Sequence, residues 1–205
     1  MPDFFSIETR DKVSILRLVS ADGTNRLSRA CVLALTKAVR ELACTSPPSP
    51  LIITGNEKFF SAGADLSEIV LLSSDALAFA QMGQALTQLV DDFPAPVCAA
   101  IHGYCMGGGL DLVLACDYRI AAPNAEFGHR GAALGLITGW GGTQRLPRLI
   151  GRAKALQMFV AAEKLRAPQA LAAGLVDAVA GDPLTEALRL CNRINGTKNP
   201  EGAPL

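Results

Sequence analysis

The stretch "HGYCMGGGLDL", residues 102–112, contains three consecutive glycines that run directly into an apolar segment. Glycine loses more conformational freedom on folding than any other residue, so three in a row need a physical reason. Three explanations are open at this point: the glycines cradle a phosphate, let two backbones pack closely, or aim amide hydrogens at a negative charge. An acidic residue, Asp111, follows the last glycine by two positions.

The segments around this stretch alternate between short apolar runs and longer helical patterns. Strands are predicted at "VSILRL" (13–18), "LIIT" (51–54), "VCAAI" (97–101) and "YRIAA" (118–122). Helical spacing of apolar residues covers 27–42 and roughly 74–92, and further helices are predicted around 142–149, 151–162, 168–173 and 183–194. The order strand, loop, helix, strand indicates an α/β fold, with a parallel sheet covered by helices.

Two glycine-containing loops follow buried strands of this predicted sheet. "FFSAGADL" (59–66) comes after the strand at 51–54, and "HGYCMGGGLDL" comes after the strand at 97–101. Ligands of open parallel sheets bind beyond the carboxyl ends of the strands, so the two loops face one crevice if their strands are neighbours. Two backbone amides that converge there, one from each loop, would form an oxyanion hole.

Other motifs that use glycine do not fit. The dinucleotide fingerprint needs G-x-G-x-x-G, whereas the spacing here is G-x-x-x-G-G-G, which disfavours a dinucleotide-binding oxidoreductase. The P-loop ending GK[ST] is absent, and Ser61 lacks the glycine that a nucleophile elbow places two residues before its serine. Close packing of the glycines stays open as the simpler alternative.

Composition narrows the class of protein. The 205 residues carry a formal net charge of zero, which gives no reason to expect a nucleic-acid or membrane partner. The N-terminus lacks the basic start and apolar core of a signal peptide, and no apolar run approaches the roughly 20 residues that span a bilayer. The six cysteines form no CxxC pair and the two histidines have no ligand spacing, so we expect a cytoplasmic protein with reduced thiols and no metal site.

Four segments carry a more specific combination of motifs. They are "FFSAGADLSEI" (59–69), "PAPVCAAIHGYCMGGGLDLVLACDYRIAAPNAEFG" (94–128), "GLITGWGGTQRLPRLIG" (135–151) and "AGLVDAV" (173–179). In this order they resemble the enoyl-CoA hydratase/isomerase (crotonase) family. The resemblance extends from about the first strand to about residue 190.

The resemblance implies a fold, a ligand and an assembly. The fold is a spiral of ββα units followed by C-terminal helices, and the chains associate as homotrimers or hexamers. The ligand is an acyl-CoA thioester, with coenzyme A as part of the substrate and no covalently bound cofactor. The backbone amides of Ala64 and Gly108 match the oxyanion hole that stabilises a thioester enolate. The residues expected to contact the CoA portion are Asn25, Arg26, Leu27, Lys58, Ala62, Asp65 and Leu66.

The catalytic carboxylates of the family are only partly present. Hydratases of the family use two glutamates; Asp111 stands at the first position and Gly131 at the second, so the second acid is missing. Water addition needs one group to deprotonate water and another to protonate carbon. The residues therefore favour an isomerase-like proton shift with Asp111 as the base. His129 is a conceivable second proton carrier, but we expect an ordinary polar loop residue there, and we expect Trp140 to serve packing.

The C-terminal end is shorter than the resemblance leads one to expect. Family members continue with helices that cover the acyl pocket, whereas this chain has one helix followed by a Pro- and Gly-rich segment. We predict an acyl-CoA-binding core over 1–195 and a flexible tail over 196–205. The predicted function is an enoyl-CoA hydratase/isomerase, and the alternative is an acyl-CoA-binding or assembly protein that has lost catalysis.

Overall fold

The computed structural model describes residues 4–71, 76–129 and 131–194, so the predicted tail at 196–205 lies outside the described residues. The strands are β1 (Phe5–Arg10), β2 (Val13–Leu18), β3 (Arg26–Leu27), β4 (Leu51–Thr54), β5 (Phe59–Ser61), β6 (Gly63–Ala64), β7 (Val97–Ile101), β8 (Tyr104–Met106), β9 (Tyr118–Ala121), β10 (Glu126–Gly128), β11 (Lys164–Arg166) and β12 (Ala178–Val179). The helices are α1 (Arg29–Ala43), α2 (Leu66–Leu71), α3 (Ala76–Asp91), α4 (Gly108–Leu114), α5 (Gly142–Ile150), α6 (Arg152–Val160), α7 (Ala167–Ala172) and α8 (Pro183–Arg193), with a 3₁₀ helix at Gly131–Leu134.

The strands form three sheets, namely the two-stranded pair β3–β6 and two larger sheets between which the chain alternates at β4–β5 and at β7–β8–β9. The larger sheet has the order β1-β2-β4-β7-β9-β12 and is parallel except for the β1–β2 hairpin. The smaller sheet has the order β11-β10-β8-β5 and is parallel except for the β10–β11 pair. Each of the pairs β4–β5 and β7–β8 is followed by helix before the chain returns to the larger sheet. This alternation confirms the predicted α/β fold built from ββα units.

The inner strands β4 and β7 of the larger sheet are fully buried, which explains their almost wholly apolar sequences. Leu51 and Ile53 of β4 pack into the core cluster that includes α1, α3 and α4. Ile52, between them, packs with Cys98 of β7 and with the apolar side of α8. A parallel strand covered on both faces has no polar side, so its sequence does not alternate. All six cysteines are free thiols, and all except Cys44 are buried.

The predicted helices lie close to the observed ones, and local capping explains where they begin. The pattern predicted over 27–42 forms α1, which begins at Arg29 because the Ser28 side chain accepts a hydrogen bond from the Cys31 amide at 3.2 Å. The elements α2, β3, β10 and β11 were not predicted, and the short strands β5, β6 and β8 lie in segments that were expected to be loop. Each of these three short strands has two or three residues, too few to show a period, and each pairs with a strand distant in sequence.

Asn25 joins the segment before α1 to the glycine-containing loop at 59–66. Its side-chain amide donates to the carbonyls of Phe59 and Phe60 at 3.0 and 3.1 Å, and its own carbonyl accepts from the Ser61 hydroxyl at 2.7 Å. The residue is 2% exposed and has a φ of 52°, in the left-handed region that Asn tolerates better than most residues. Asn25 therefore ties the residue before β3 to β5.

Replacing Asn25 tests this anchoring role. We expect Asn25→Ala to lower the free energy of unfolding by about 2–4 kcal/mol, because it removes two buried hydrogen bonds and places alanine at a positive φ. Asn25→Gly is the matched control, because it removes the same bonds without the backbone strain, and it should cost no more than the alanine variant. Urea unfolding measures both. A loss below about 0.5 kcal/mol for Asn25→Ala would contradict the role.

Candidate active site

A cavity of about 760 Å³ opens where the two glycine-containing loops meet. Its walls come from the β5–α2 segment, the β8–α4 segment, α3 and the loop that precedes α5. Its lining residues are predominantly apolar and include Ala62, Ala64, Leu66, Phe79, Met106, Gly108, Leu136, Ile137, Trp140 and Phe159. A large apolar pocket with a few polar groups is typical of a site for a small organic ligand.

Ala64, in the first loop, lines the cavity. The amides on either side of it are engaged: Gly63 donates to the Ser61 hydroxyl at 3.0 Å, and Asp65 donates to the Leu27 carbonyl at 3.2 Å. Successive residues of an extended strand face opposite sides, so the Ala64 N–H faces away from the side on which Asp65 bonds to β3. Ala62 and Ala64 line the cavity together with Leu66, the first residue of α2.

Gly108, in the second loop, lines the same cavity. It is the first residue of α4, and the first-turn amides of a helix have no intrahelical acceptor. Gly107, which precedes it, is held by a hydrogen bond from its amide to the Gly128 carbonyl at 2.9 Å. Because the helix dipole adds partial positive charge at this end, the Gly108 amide suits a developing negative charge.

The three glycines are required for separate reasons. Gly107 has φ 52° and ψ −122°, a combination that side-chain-bearing residues rarely adopt. A Cβ on Gly108 would lie 2.6 Å from the Trp140 ring, and a Cβ on Gly109 would lie 2.7 Å from the Ser61 side chain. Close packing is thus present at Gly108 and Gly109. Trp140 is 4% exposed and packs against Gly108, and it also lines the cavity.

Asp111 lies in the first turn of α4 and lines the cavity while being only 1% exposed. Burial raises the pKa of Asp111 to about 7, against the opposing hydrogen bond that the Thr138 hydroxyl donates to Oδ2. Oδ1 has no hydrogen-bond partner among the described residues. Gly142 packs closely against it, since a Cβ there would lie 2.1 Å from Oδ1. A carboxylate with a pKa near 7 is poised to take up and release a proton.

His129 is where the structure differs most from the sequence prediction. The expectation of an ordinary polar loop residue was wrong, because His129 is 3% exposed and lines the same cavity. Its Nε2 lies 3.6 Å from Asp111 Oδ1, its ring packs against Phe159, and neither ring nitrogen has a hydrogen-bond partner among the described residues. Burial lowers the pKa of His129 to about 4, so the ring is neutral at pH 7.

Gly131 has no room for the missing second acid in this backbone conformation. A Cβ there would lie 2.7 Å from the Leu136 carbonyl oxygen. Among the cavity-lining residues that the structure describes, Asp111 is the only carboxylic acid.

The residues predicted to contact CoA divide into three groups. Ala62 and Leu66 line the cavity, and Asp65 lies between them and accepts hydrogen bonds from Ser67. Arg26 and Lys58 are exposed near the same loops. Leu27 is 0% exposed, within the core, and the Asn25 side chain is committed to β5.

Sequence reasoning missed three polar residues of the cavity, namely Tyr104, Thr138 and Lys164. The Lys164 ammonium lies 5.5 Å from the Tyr104 ring centroid and pairs with Glu126 at 2.6 Å. Lys164 belongs to β11, whose pairing with β10 brings it to the site from far along the chain. No local signal marks it.

Two negative findings concern the described part of the chain. Within residues 4–71, 76–129 and 131–194, no three or more histidine, cysteine, aspartate or glutamate side chains lie close enough together to bind a metal ion. No helix in these ranges combines the length and apolar character needed to cross a membrane.

The opposite pKa shifts of Asp111 and His129 predict opposite effects on stability. The pKa of Asp111 rises from 3.8 to about 7, so the folded protein holds a proton that the unfolded chain releases, and stability falls as pH rises through this window. The pKa of His129 falls from 6.5 to about 4, so the unfolded chain binds a proton that the folded protein lacks, and stability rises with pH through that window.

Single variants therefore separate the contributions of Asp111 and His129 to the dependence of stability on pH. In urea unfolding between about pH 4 and 6.5, Asp111→Asn should gain stability as pH rises, and His129→Gln should lose it, each by up to about 1.4 kcal/mol per pH unit. Asp92→Asn, at an exposed position just after α3, serves as control and should keep the parental slope. Slopes of the same sign in the two variants would contradict this assignment.

Comparison with known proteins agrees with this geometry. A sequence model of the enoyl-CoA hydratase/isomerase family matches residues 8–200. The crotonyl-CoA hydratase of Syntrophomonas wolfei is 37% identical over 192 residues, which are 92% of this chain and 74% of that protein. A probable enoyl-CoA hydratase of Bacillus subtilis is 41% identical over 160 residues, which are 77% of this chain and 62% of that protein.

Solved structures give the same result. The crystal structure of an enoyl-CoA hydratase from Bacillus anthracis matches with a TM-score of 0.89 at 33% identity, over 94% of this chain and 77% of that one. The structure of DspI from Pseudomonas aeruginosa matches with a TM-score of 0.87 at 32% identity, over 94% and 80%. The chain therefore belongs to the enoyl-CoA hydratase/isomerase (crotonase) family.

Proposed function

We propose that this protein binds an acyl-CoA thioester and stabilises its enolate with the backbone amides of Ala64 and Gly108, while Asp111 moves the proton. The observation that carries the proposal is that both loops and the one carboxylic acid of the described lining meet in a single cavity. Membership of the family supplies the substrate class.

The enolate is the species that this arrangement suits. Removing a proton from C2 of the thioester places negative charge on the carbonyl oxygen, and two fixed amides can receive that oxygen without reorganising. One such donor typically contributes about a 100- to 1000-fold rate effect. The close approach of the loops fixes the donors, because a Cβ on Gly63 would lie 3.1 Å from the Gly108 nitrogen.

Asp111 alone supports an isomerisation. A single carboxylate can take the proton from C2 of a 3-enoyl-CoA and return it at C4, which gives the 2-enoyl-CoA. Its pKa of about 7 suits both halves of that transfer. The absence of room for a second acid at Gly131 favours this reaction over hydration by two carboxylates.

The CoA portion is expected at the cavity mouth. Ala62 and Leu66 form one edge, with Asp65 between them in sequence, and the side chains of Arg26 and Lys58 are exposed cations near it that suit the CoA phosphates. Asn25 and Leu27 act on this edge indirectly, Asn25 through its bonds to β5 and Leu27 through the pairing of β3 with β6.

An acyl-CoA-binding protein without turnover is the second candidate. The observation that favours it is the same crowding at Gly131, because a site short of one acid binds its ligand without the complete hydration chemistry. Calorimetry with an acyl-CoA, alongside an activity assay, separates the two: binding without any turnover identifies the second candidate.

Removing the Asp111 carboxylate tests the proposed enzyme. We expect Asp111→Asn to lower kcat for 3-enoyl- to 2-enoyl-CoA isomerisation by about 100- to 10,000-fold, with acyl-CoA affinity within a few-fold of the parent. The parental rate should rise with pH through about 7, because the ionised carboxylate is the base. Asp92→Asn, at an exposed position, is the matched control. Undiminished isomerisation by Asp111→Asn would refute the role.

We expect this chain to assemble with further copies of itself as a homotrimer or hexamer. Leu156 and Val160 stand four residues apart on α6 and are 61% and 69% exposed, which leaves an apolar strip on this helix. We expect light scattering to give the mass of three or six chains, and Leu156→Glu with Val160→Glu to lower it. A parent of monomer mass would contradict this expectation.

A further inference from the structure

His129 is a buried polar group that the proposed isomerisation does not use. Neither of its ring nitrogens has a hydrogen-bond partner among the described residues, and the facing Asp111 Oδ1 is also unpartnered. A buried polar atom without a partner destabilises the fold, so a purely structural position would favour an apolar side chain of similar size. Among the described residues, the chain instead places an imidazole without a hydrogen-bond partner beside the Asp111 carboxyl in the cavity wall.

The backbone fixes this juxtaposition. His129 directly follows β10, and the Gly128 carbonyl at the end of that strand accepts the Gly107 amide at 2.9 Å. This bond joins the end of β10 to the start of α4, which carries Asp111 one turn further on. The result is 3.6 Å between His129 Nε2 and Asp111 Oδ1, and contacts of this kind commonly shorten when substrate binds.

We propose that His129 is the second proton-transfer group of this site, and that the Asp111–His129 pair adds water across the double bond of a 2-enoyl-CoA thioester. The inference rests on the proposed function, since it needs the same thioester in the same oxyanion hole. It assigns to His129 the proton transfer that a second carboxylate would perform, because Gly131 occupies the position of that carboxylate.

The step balances without any further reactant. Neutral His129 takes a proton from water as the water oxygen bonds to C3, and the electrons of the double bond move towards the carbonyl to form the enolate. Protonated Asp111 then gives its proton to C2, and the 3-hydroxyacyl thioester results. The proton held by His129 passes to the Asp111 carboxylate, which restores the starting pair.

The surroundings leave the pair with one proton near neutral pH. The pKa of Asp111 is raised to about 7 and that of His129 is lowered to about 4, both by burial. Three cations on the elements packed against the pair are each bound by a carboxylate. Arg145 pairs with Asp91 at 3.1 Å, Lys154 with Glu163 at 2.8 Å and Lys164 with Glu126 at 2.6 Å. Arg148 and Arg152 are exposed, and Tyr104 is the remaining titratable group of the described lining.

The two reactions therefore require different protonation states. Hydration uses the singly protonated pair and should decline as pH rises above about 7. Isomerisation uses ionised Asp111 and should increase through the same range. Opposite pH profiles in one enzyme would follow from a shared pair and would not follow from a histidine that only packs.

The test measures both reactions side by side, with crotonyl-CoA for hydration and a 3-enoyl-CoA for isomerisation. We expect His129→Gln to lower kcat for hydration by about 100- to 10,000-fold with KM within about 3-fold, and to leave isomerisation within about 10-fold of the parent. His102→Gln, which replaces the other histidine of the chain at a position outside the cavity lining, is the matched control. Circular dichroism checks folding, and His129→Asn replaces His129→Gln if the latter does not fold.

Each other outcome overturns the inference. If His129→Gln hydrates crotonyl-CoA at the parental rate, His129 has no part in hydration. If the variant loses both reactions equally, His129 only positions Asp111. If the wild type isomerises but does not hydrate, the proposed function is retained and this inference is contradicted. If it catalyses neither reaction, both are contradicted. The wild-type pH profile needs no variant, and hydration that increases above pH 7 also contradicts the proposal.

Discussion

The close approach of two backbone segments is the constraint on which the rest of this site depends. Gly63 lies so near the β8–α4 segment that a Cβ on it would meet the Met106 carbonyl oxygen at 2.6 Å and the Gly108 nitrogen at 3.1 Å. Only residues without side chains permit that distance. Because each loop follows a strand of the larger parallel sheet, the sheet itself brings the loops to one edge. The cavity, the two candidate amides and Asp111 all follow from this contact.

The same constraint determines which groups line the cavity. The Trp140 ring lies between Gly83 and Gly108, where a Cβ would be 2.1 Å or 2.6 Å from the ring, and it forms an apolar wall. The Gly107–Gly128 hydrogen bond joins α4 to β10 and so places Asp111 and His129 together. Asp111 becomes easier to protonate and His129 harder to protonate for one reason, which is that both are removed from water.

Much of this organisation could be predicted from the sequence, because its signals are local. The apolar runs at 51–54 and 97–101 predict the buried strands that the structure contains, and the glycine loops after them predict the position of the crevice. The motif combination identifies the family. The short strands β5, β6 and β8 escaped prediction, because their pairing partners are distant in sequence and their length allows no period.

The side-chain environments were less predictable, because they depend on contacts between remote segments. His129 is buried by Phe159 and by the end of β10, and no residue beside it in sequence signals that burial. Asn25 was predicted to contact CoA, whereas its side chain bonds to the backbone of β5. Lys164 reaches the cavity only through the pairing of β11 with β10.

The account depends most on one claim, that the cavity stabilises a thioester enolate and that Asp111 moves its proton. Exchange of the C2 hydrogens of butyryl-CoA, a saturated thioester, in deuterated water measures this directly, because it needs neither a double bond nor water addition. The account predicts deuterium at C2 with the parent protein and an exchange rate lower by about 100-fold or more with Asp111→Asn. Bound butyryl-CoA that acquires no deuterium at C2, or equal exchange by the two proteins, would contradict it.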